Sequence, residues 1–106
     1  MYLNDIYSKL QNLKIPVAYG HMSKACSAPY VIYYENGGQN YGADRHNFIR
    51  KREICVNLYT KSKNQALEMQ IEKIFSEFDL EVSEIYIVDE DLIQVSYSFT
   101  IIEKIR

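Results

Sequence analysis

Polar and apolar residues follow two rhythms along this chain. From Leu92 onward they alternate: Ile93, Val95, Tyr97, Phe99 and Ile101 against Gln94, Ser96, Ser98 and Thr100. That period predicts an antiparallel strand with one wet face. Ile54, Val56 and Leu58 against Cys55, Asn57 and Tyr59 repeat the pattern. Two other stretches follow helical spacing. Leu3, Ile6, Leu10 and Leu13 predict an amphipathic helix over residues 2–13. Pro16 ends it, because a residue before proline is pushed out of the α region. Leu67, Ile71, Ile74, Phe75 and Phe78 predict a second helix over 65–78, with Asn64 as N-cap. Glu68, Glu72 and Glu77 fall on its exposed side.

Between the helices lies the stretch that organises the chain. Val17–His21 reads as a short strand and Ser23–Pro29 as a connector. Pro29–Glu35 is aromatic and β-branched, which suits a half-buried pleated surface. The next residues, 36–44, hold three of the four glycines together with Asn36, Asn40 and Asp44. They predict an oversized connection to a returning strand that runs from Arg45 to Tyr59. Within that strand Arg50, Lys51 and Arg52 interrupt the alternation. Three successive cations cannot all be buried, so this end reaches beyond the core. Glu81–Val88 forms another strand and Asp89-Glu90-Asp91 the turn after it. The order α-β-ββ-α-ββ defines one α+β domain over 1–106, an antiparallel sheet with two helices packed on one face.

Composition narrows the function classes. The chain has 106 residues, 47% hydrophobic and 25% charged, enough for a core without staples. Ten tyrosines and no tryptophan fit a sheet-rich protein that also assembles. The net charge of −2 argues against a dedicated nucleic-acid binder. It is unevenly spread. Residues 45–63 carry six cations and one acid, whereas 68–91 carry nine acids and one lysine. Such an asymmetry suits head-to-tail contacts between subunits, or an intramolecular pairing of the two regions. No apolar run approaches the roughly 20 residues of a membrane span. Met1–Asp5 lacks the basic and apolar regions of a signal peptide, so synthesis in the cytoplasm is expected.

Candidate chemistry is sparse. His21, Cys26, His46 and Cys55 are possible zinc ligands, but only His21 and Cys26 approach ligand spacing. Cys26 has no flanking motif to supply a base, and Asp89 and Asp91 sit in a solvated turn. Gly37-Gly38 precedes no Gly-Lys-Ser/Thr and opens no helix, so it is not a phosphate loop. Neither catalytic residues nor a cofactor or metal are expected; an unrecognised hydrolase is the remotest reading. A stronger alternative is a single-strand nucleic-acid binding module. Tyr30, Tyr33, Tyr34, Tyr41 and Tyr59 lie close in sequence to Arg45, Arg50, Lys51 and Arg52, and stacking rings beside cations suit that role.

A resemblance covers most of the chain. Pro29-Tyr-Val-Ile-Tyr-Tyr34, then Asn40-Tyr41-Gly42-Ala43-Asp44, and a strand ending Leu58-Tyr59-Thr60 resemble the small tail completion, or tail terminator, proteins of long-tailed phages and Gram-positive prophages. The capped second helix and Gln94-Val95-Ser96-Tyr97 continue it. The resemblance implies a non-enzymatic virion protein at the head-proximal end of the tail, present in the host cytoplasm during assembly. It implies a ring of copies of itself, a hexamer being one candidate size, formed freely or only on the tail. Its further partners would be the tail tube protein and head–tail connector proteins, with neither membrane nor specific nucleic-acid binding. The expected contact residues are Asn40, Tyr41, Gly42, Asp44 and Arg45 on the loop, with Arg50, Lys51 and Arg52 beside it. The acidic counterpart is Glu68 and Glu72, which repel one turn apart until a neighbour's cation approaches. Gly42 is expected to take positive φ.

Overall fold

The computed structural model describes residues 1–41 and 49–104, with the backbone alone at 38–41. Helix α1 (Leu3–Leu10) is followed by a 3-10 turn, Gln11–Leu13, which closes when Lys14 adopts left-handed backbone (φ 60°, ψ 36°). The chain then forms β1 (Val17–Tyr19), β2 (Tyr30–Tyr41), β3 (Ile49–Thr60), α2 (Gln65–Ile74), β4 (Glu81–Ile87) and β5 (Leu92–Lys104). The strands make one sheet in the order β1-β2-β3-β5-β4. This is the α+β order that the hydrophobic rhythm implies.

Antiparallel pairing holds from β2 through β3 and β5 to β4, while β1 joins β2 in parallel, so the sheet is mixed. A parallel neighbour ordinarily needs a crossover of a dozen or more residues. Here only three residues pair, Val17–Tyr19 with Val31–Tyr33, so residues 20–29 need to return only about 10 Å.

Register assigns the faces. Val31, Leu58 and Val95 lie opposite one another, as do Tyr33, Val56 and Tyr97. Both helices cover this face, and Ile6, Leu10, Leu67, Ile71 and Phe75 close the core with Ile54, Phe99 and Ile101. Asn64 caps α2, its side chain accepting the Leu67 N–H at 3.1 Å. The helix stops at Ile74, short of the predicted residue 78. Leaving helical geometry at Phe75 lets Phe75 and Phe78 both reach Phe99, at ring distances of 4.7 and 5.0 Å.

The largest departure from the sequence reading is at Asn36–Tyr41, which is strand rather than connection. Pairing with β3 resumes at Gly38 after a bulge, and Gly37 takes φ 109° there. A bulge needs one residue of unusual backbone, which explains a glycine at this point. Three strands of 12, 12 and 13 residues, about 40 Å long, thus lie side by side. The helices have 8 and 10 residues and cover about 12–15 Å. The distal parts of β2, β3 and β5, called the arm below, reach as far as the start of α1, which touches Glu103 and Lys104, and the molecule measures 48 × 26 × 22 Å.

Candidate protein-interaction site

Along the arm the register places Arg50 and Arg52 on the helix-covered face and Lys51 on the opposite one. Arg52 is not a surface cation. Its Nη1 lies 2.7 Å from Glu35 Oε1 and its Nε 3.0 Å from Glu103 Oε1, with most of its side chain out of water. Glu103 Oε2 accepts the Leu3 N–H at 2.7 Å, one of the first-turn donors of α1 that no helical carbonyl can satisfy. Tyr2 N–H is taken by Asp5 Oδ2 at 2.8 Å, and the Tyr2 hydroxyl donates to the Lys104 carbonyl at 3.3 Å. One cluster thus joins β2, β3, β5 and the helix start. Burial works against ionisation of Glu103, but the Leu3 N–H and Arg52 together hold its carboxyl below the ordinary range.

Beside this cluster is a groove of about 790 Å³ lined by Tyr2, Asp5, Tyr19, Tyr33, Arg52 and Glu103. Tyr19 packs edge-on against Tyr33 at 5.2 Å, and its hydroxyl accepts the Glu35 N–H at 3.2 Å. The opposite face of the sheet holds a cleft of about 540 Å³, where Asn36, Glu53, Asp79, Glu81, Ser98 and Thr100 meet.

The acidic side of the expected contact is organised differently from its sequence reading. Glu68 is buried, not exposed, and its Oε1 accepts from Lys63 Nζ at 2.9 Å. Lys63 also reaches Glu84 Oε1 at 2.5 Å, tying α2 to β4. The cation near Glu68 therefore comes from the same chain. Glu68 Oε2 is buried without a hydrogen-bond partner among the described residues. Glu72 is exposed and accepts the Tyr97 hydroxyl at 3.5 Å. Burial, then the charges of Glu68 and Glu72, push the Tyr97 phenol up. Tyr97 and Glu103 are six positions apart on β5, so the acidic and arm clusters are separated by about 20 Å along the strand.

The aromatic residues mostly meet one another. Tyr30 and Tyr59 stack at 4.9 Å across β2 and β3. Below them Cys55 and Asn57 are buried, with Cys55 Sγ donating to Asn57 Oδ1 at 3.3 Å. A hydrogen bond with Cys55, reinforced by burial, raises the Tyr34 phenol. His21 and Cys26 are exposed in the connection after β1, and both cysteines are free. Among the described residues, no three His, Cys, Asp or Glu side chains are grouped to hold a metal. Asp89 and Asp91 lie exposed in the β4–β5 turn, where Tyr86 donates to Asp91.

Asn40 and Tyr41 are backbone positions in β2, paired with Arg50 and Ile49. Gly42, Asp44 and Arg45, like His46, lie outside the described residues. The structure thus brings Arg50, Lys51, Asn40 and Tyr41 to the arm, makes Arg52 internal, and sets Glu68 and Glu72 apart. Sequence reasoning missed Glu35 and Glu103. The available signal was phase: Glu103 continues the apolar rhythm of Tyr97, Phe99 and Ile101. A carboxylate on a core phase needs a buried cation. No helix among the described residues is long and apolar enough to cross a membrane. No protein-family model matches the chain, and comparison with curated proteins finds no match.

Proposed function

We propose that this chain is a structural subunit of a phage tail, a completion or terminator protein that caps the tail tube and joins it to the head through protein contacts. The observation that carries the reading is the arm: the three-stranded distal end of the sheet, tied to the start of α1 through Arg52 and Glu103. A preorganised surface loses little conformational freedom when it docks, which favours binding over chemistry. The resemblance supports the same reading. Three of its segments, beginning at Pro29 and including Leu58–Thr60 and Gln94–Tyr97, adjoin in register, Tyr30 opposite Tyr59 and Tyr59 opposite Gln94.

The single-strand nucleic-acid alternative fares less well, because Tyr30 and Tyr59 each give one ring face to the other and Arg52 is held by two carboxylates. The test is to mix the purified chain with purified phage tails that lack heads and image them. Density at one end of each tube supports the proposal. Bare tubes beside chains that retain labelled single-stranded DNA would replace it with the alternative.

A further inference from the structure

The sheet ends on two edges of similar length that the described residues leave open. On one side β4 is the terminal strand, and its pairing with β5 is unbroken over Glu81–Ile87. Val82, Ile85, Tyr86 and Val88 are exposed to 54, 54, 56 and 75%, apolar groups on both faces of one strand and its turn. Soluble proteins commonly protect such an edge with lysine, proline or a bulge, and β4 has none of the three. On the other side β1 covers β2 only at Val31–Tyr33, and the Tyr19 hydroxyl takes the Glu35 N–H. From Asn36 to Tyr41 no described strand adjoins that side of β2.

We propose that β4 of one chain pairs antiparallel with the Asn36–Tyr41 half of β2 in a second copy, so that the sheet continues from subunit to subunit. This deepens the ring reading above and rests on it for the biological setting. Three observations select this occupant. Strand direction comes first: β2, β3, β5 and β4 alternate, so a second copy in the same orientation presents β2 antiparallel to β4.

Charge comes second. The β4 edge and its turn carry Glu81, Glu84, Asp89, Glu90 and Asp91. Two β4 strands paired symmetrically would bring two acidic edges together, of which Lys63 offsets Glu84, and like charges across paired strands are destabilising. The distal half of β2 carries only amides, glycines and a tyrosine, with Arg50 and Lys51 in the next strand. Third, the bulge between Glu35 and Gly38 is a stop that fixes how far the incoming strand can slide toward β1. The contact uses two different surfaces, so repetition gives a ring where the rotation closes.

Two measurements test the pairing. The first is sedimentation of the full chain up to millimolar concentration, with Ile85→Lys as the edge-blocking variant. Association weakened at least tenfold by that variant is expected. The second is disulfide trapping in a Cys26→Ser background, combining Ser83→Cys in turn with Gln39→Cys and Asn40→Cys. Ladders of linked multimers from a double variant, and none from Ser83→Cys alone, support the pairing. They also keep it testable if Ile85→Lys does not fold. Monomers at every concentration without ladders would overturn it. Efficient dimers of Ser83→Cys alone would overturn it too, because β4 would then be pairing with itself. Chains that form ladders yet never bind tails would leave the pairing standing and remove the tail reading. Tail binding by Ile85→Lys equal to that of the parent chain, without ladders, would do the reverse.

Discussion

Arg52 Nε lies 3.0 Å from Glu103 Oε1, joining the middle strand of the arm to β5, while the other oxygen of Glu103 holds the first turn of α1. The pair ties the end of the hairpin to the helical layer. A cation that sequence assigns to a contact surface is thereby an internal brace.

Removing it leaves two carboxylates facing each other. Arg52→Met should destabilise the chain by about 2–3 kcal/mol, somewhat less than for a fully buried pair because the cluster keeps some water. Urea unfolding at neutral pH measures this. A change within 0.5 kcal/mol, the size of an ordinary surface substitution, would show that the brace is not there.

Acid should dissolve the same brace. The carboxyl of Glu103 titrates below its ordinary value of 4.5, so it binds fewer protons folded than unfolded near that pH. Its contribution is complete above about pH 4.5 and is lost as pH falls through the depressed folded value. The stability gap between the parent chain and Glu103→Gln should therefore be widest near pH 7 and narrow toward pH 3. A gap independent of pH would mean that Glu103 is not depressed.

Gly37 is the described glycine at the bulge of the arm, Gly42 lying outside the described residues. At φ 109° a side chain is strained, although a Cβ would meet only Glu53 Oε2, at an ordinary 3.5 Å. Gly37→Val should then cost about 1 kcal/mol or more through the backbone alone, with the core intact. Hydrogen exchange should rise at Gly38–Tyr41 and not at Val31–Tyr33. Unchanged exchange throughout would remove the bulge from the account.

Much of this fold was legible in the sequence. The alternation of β5, the apolar face of α2 and the Asn64 cap all follow from side-chain periods and local hydrogen bonding. Asn36–Tyr41 was not, because glycine and asparagine signal a turn and only the neighbouring strands make this one a bulged strand. Helical spacing gives Glu68 a solvent-facing reading because its burial depends on how α2 packs, and the Lys63 that meets it also reaches Glu84 on β4 only in the fold. The Arg52 cluster was hidden for the same reason: Glu35 and Glu103 meet it through strand register, which no local pattern encodes. The contact surface expected from the sequence lies partly outside the described residues, at Gly42, Asp44 and Arg45.

Charge on the arm should tune docking. Arg50→Gln combined with Lys51→Gln, which leaves Arg52 in place, should weaken binding to purified tails at low salt and matter less as salt rises. Sedimentation with tails at two ionic strengths measures it. Equal binding at low salt would limit these residues to keeping a strand end soluble.

The most direct test of the central claim is electron microscopy of particles from a phage with this gene deleted. The account expects filled heads and separate tails in the same lysate, with joining restored when the chain is supplied from a plasmid. Joined, intact particles without the gene, or a block before heads are filled, would contradict it.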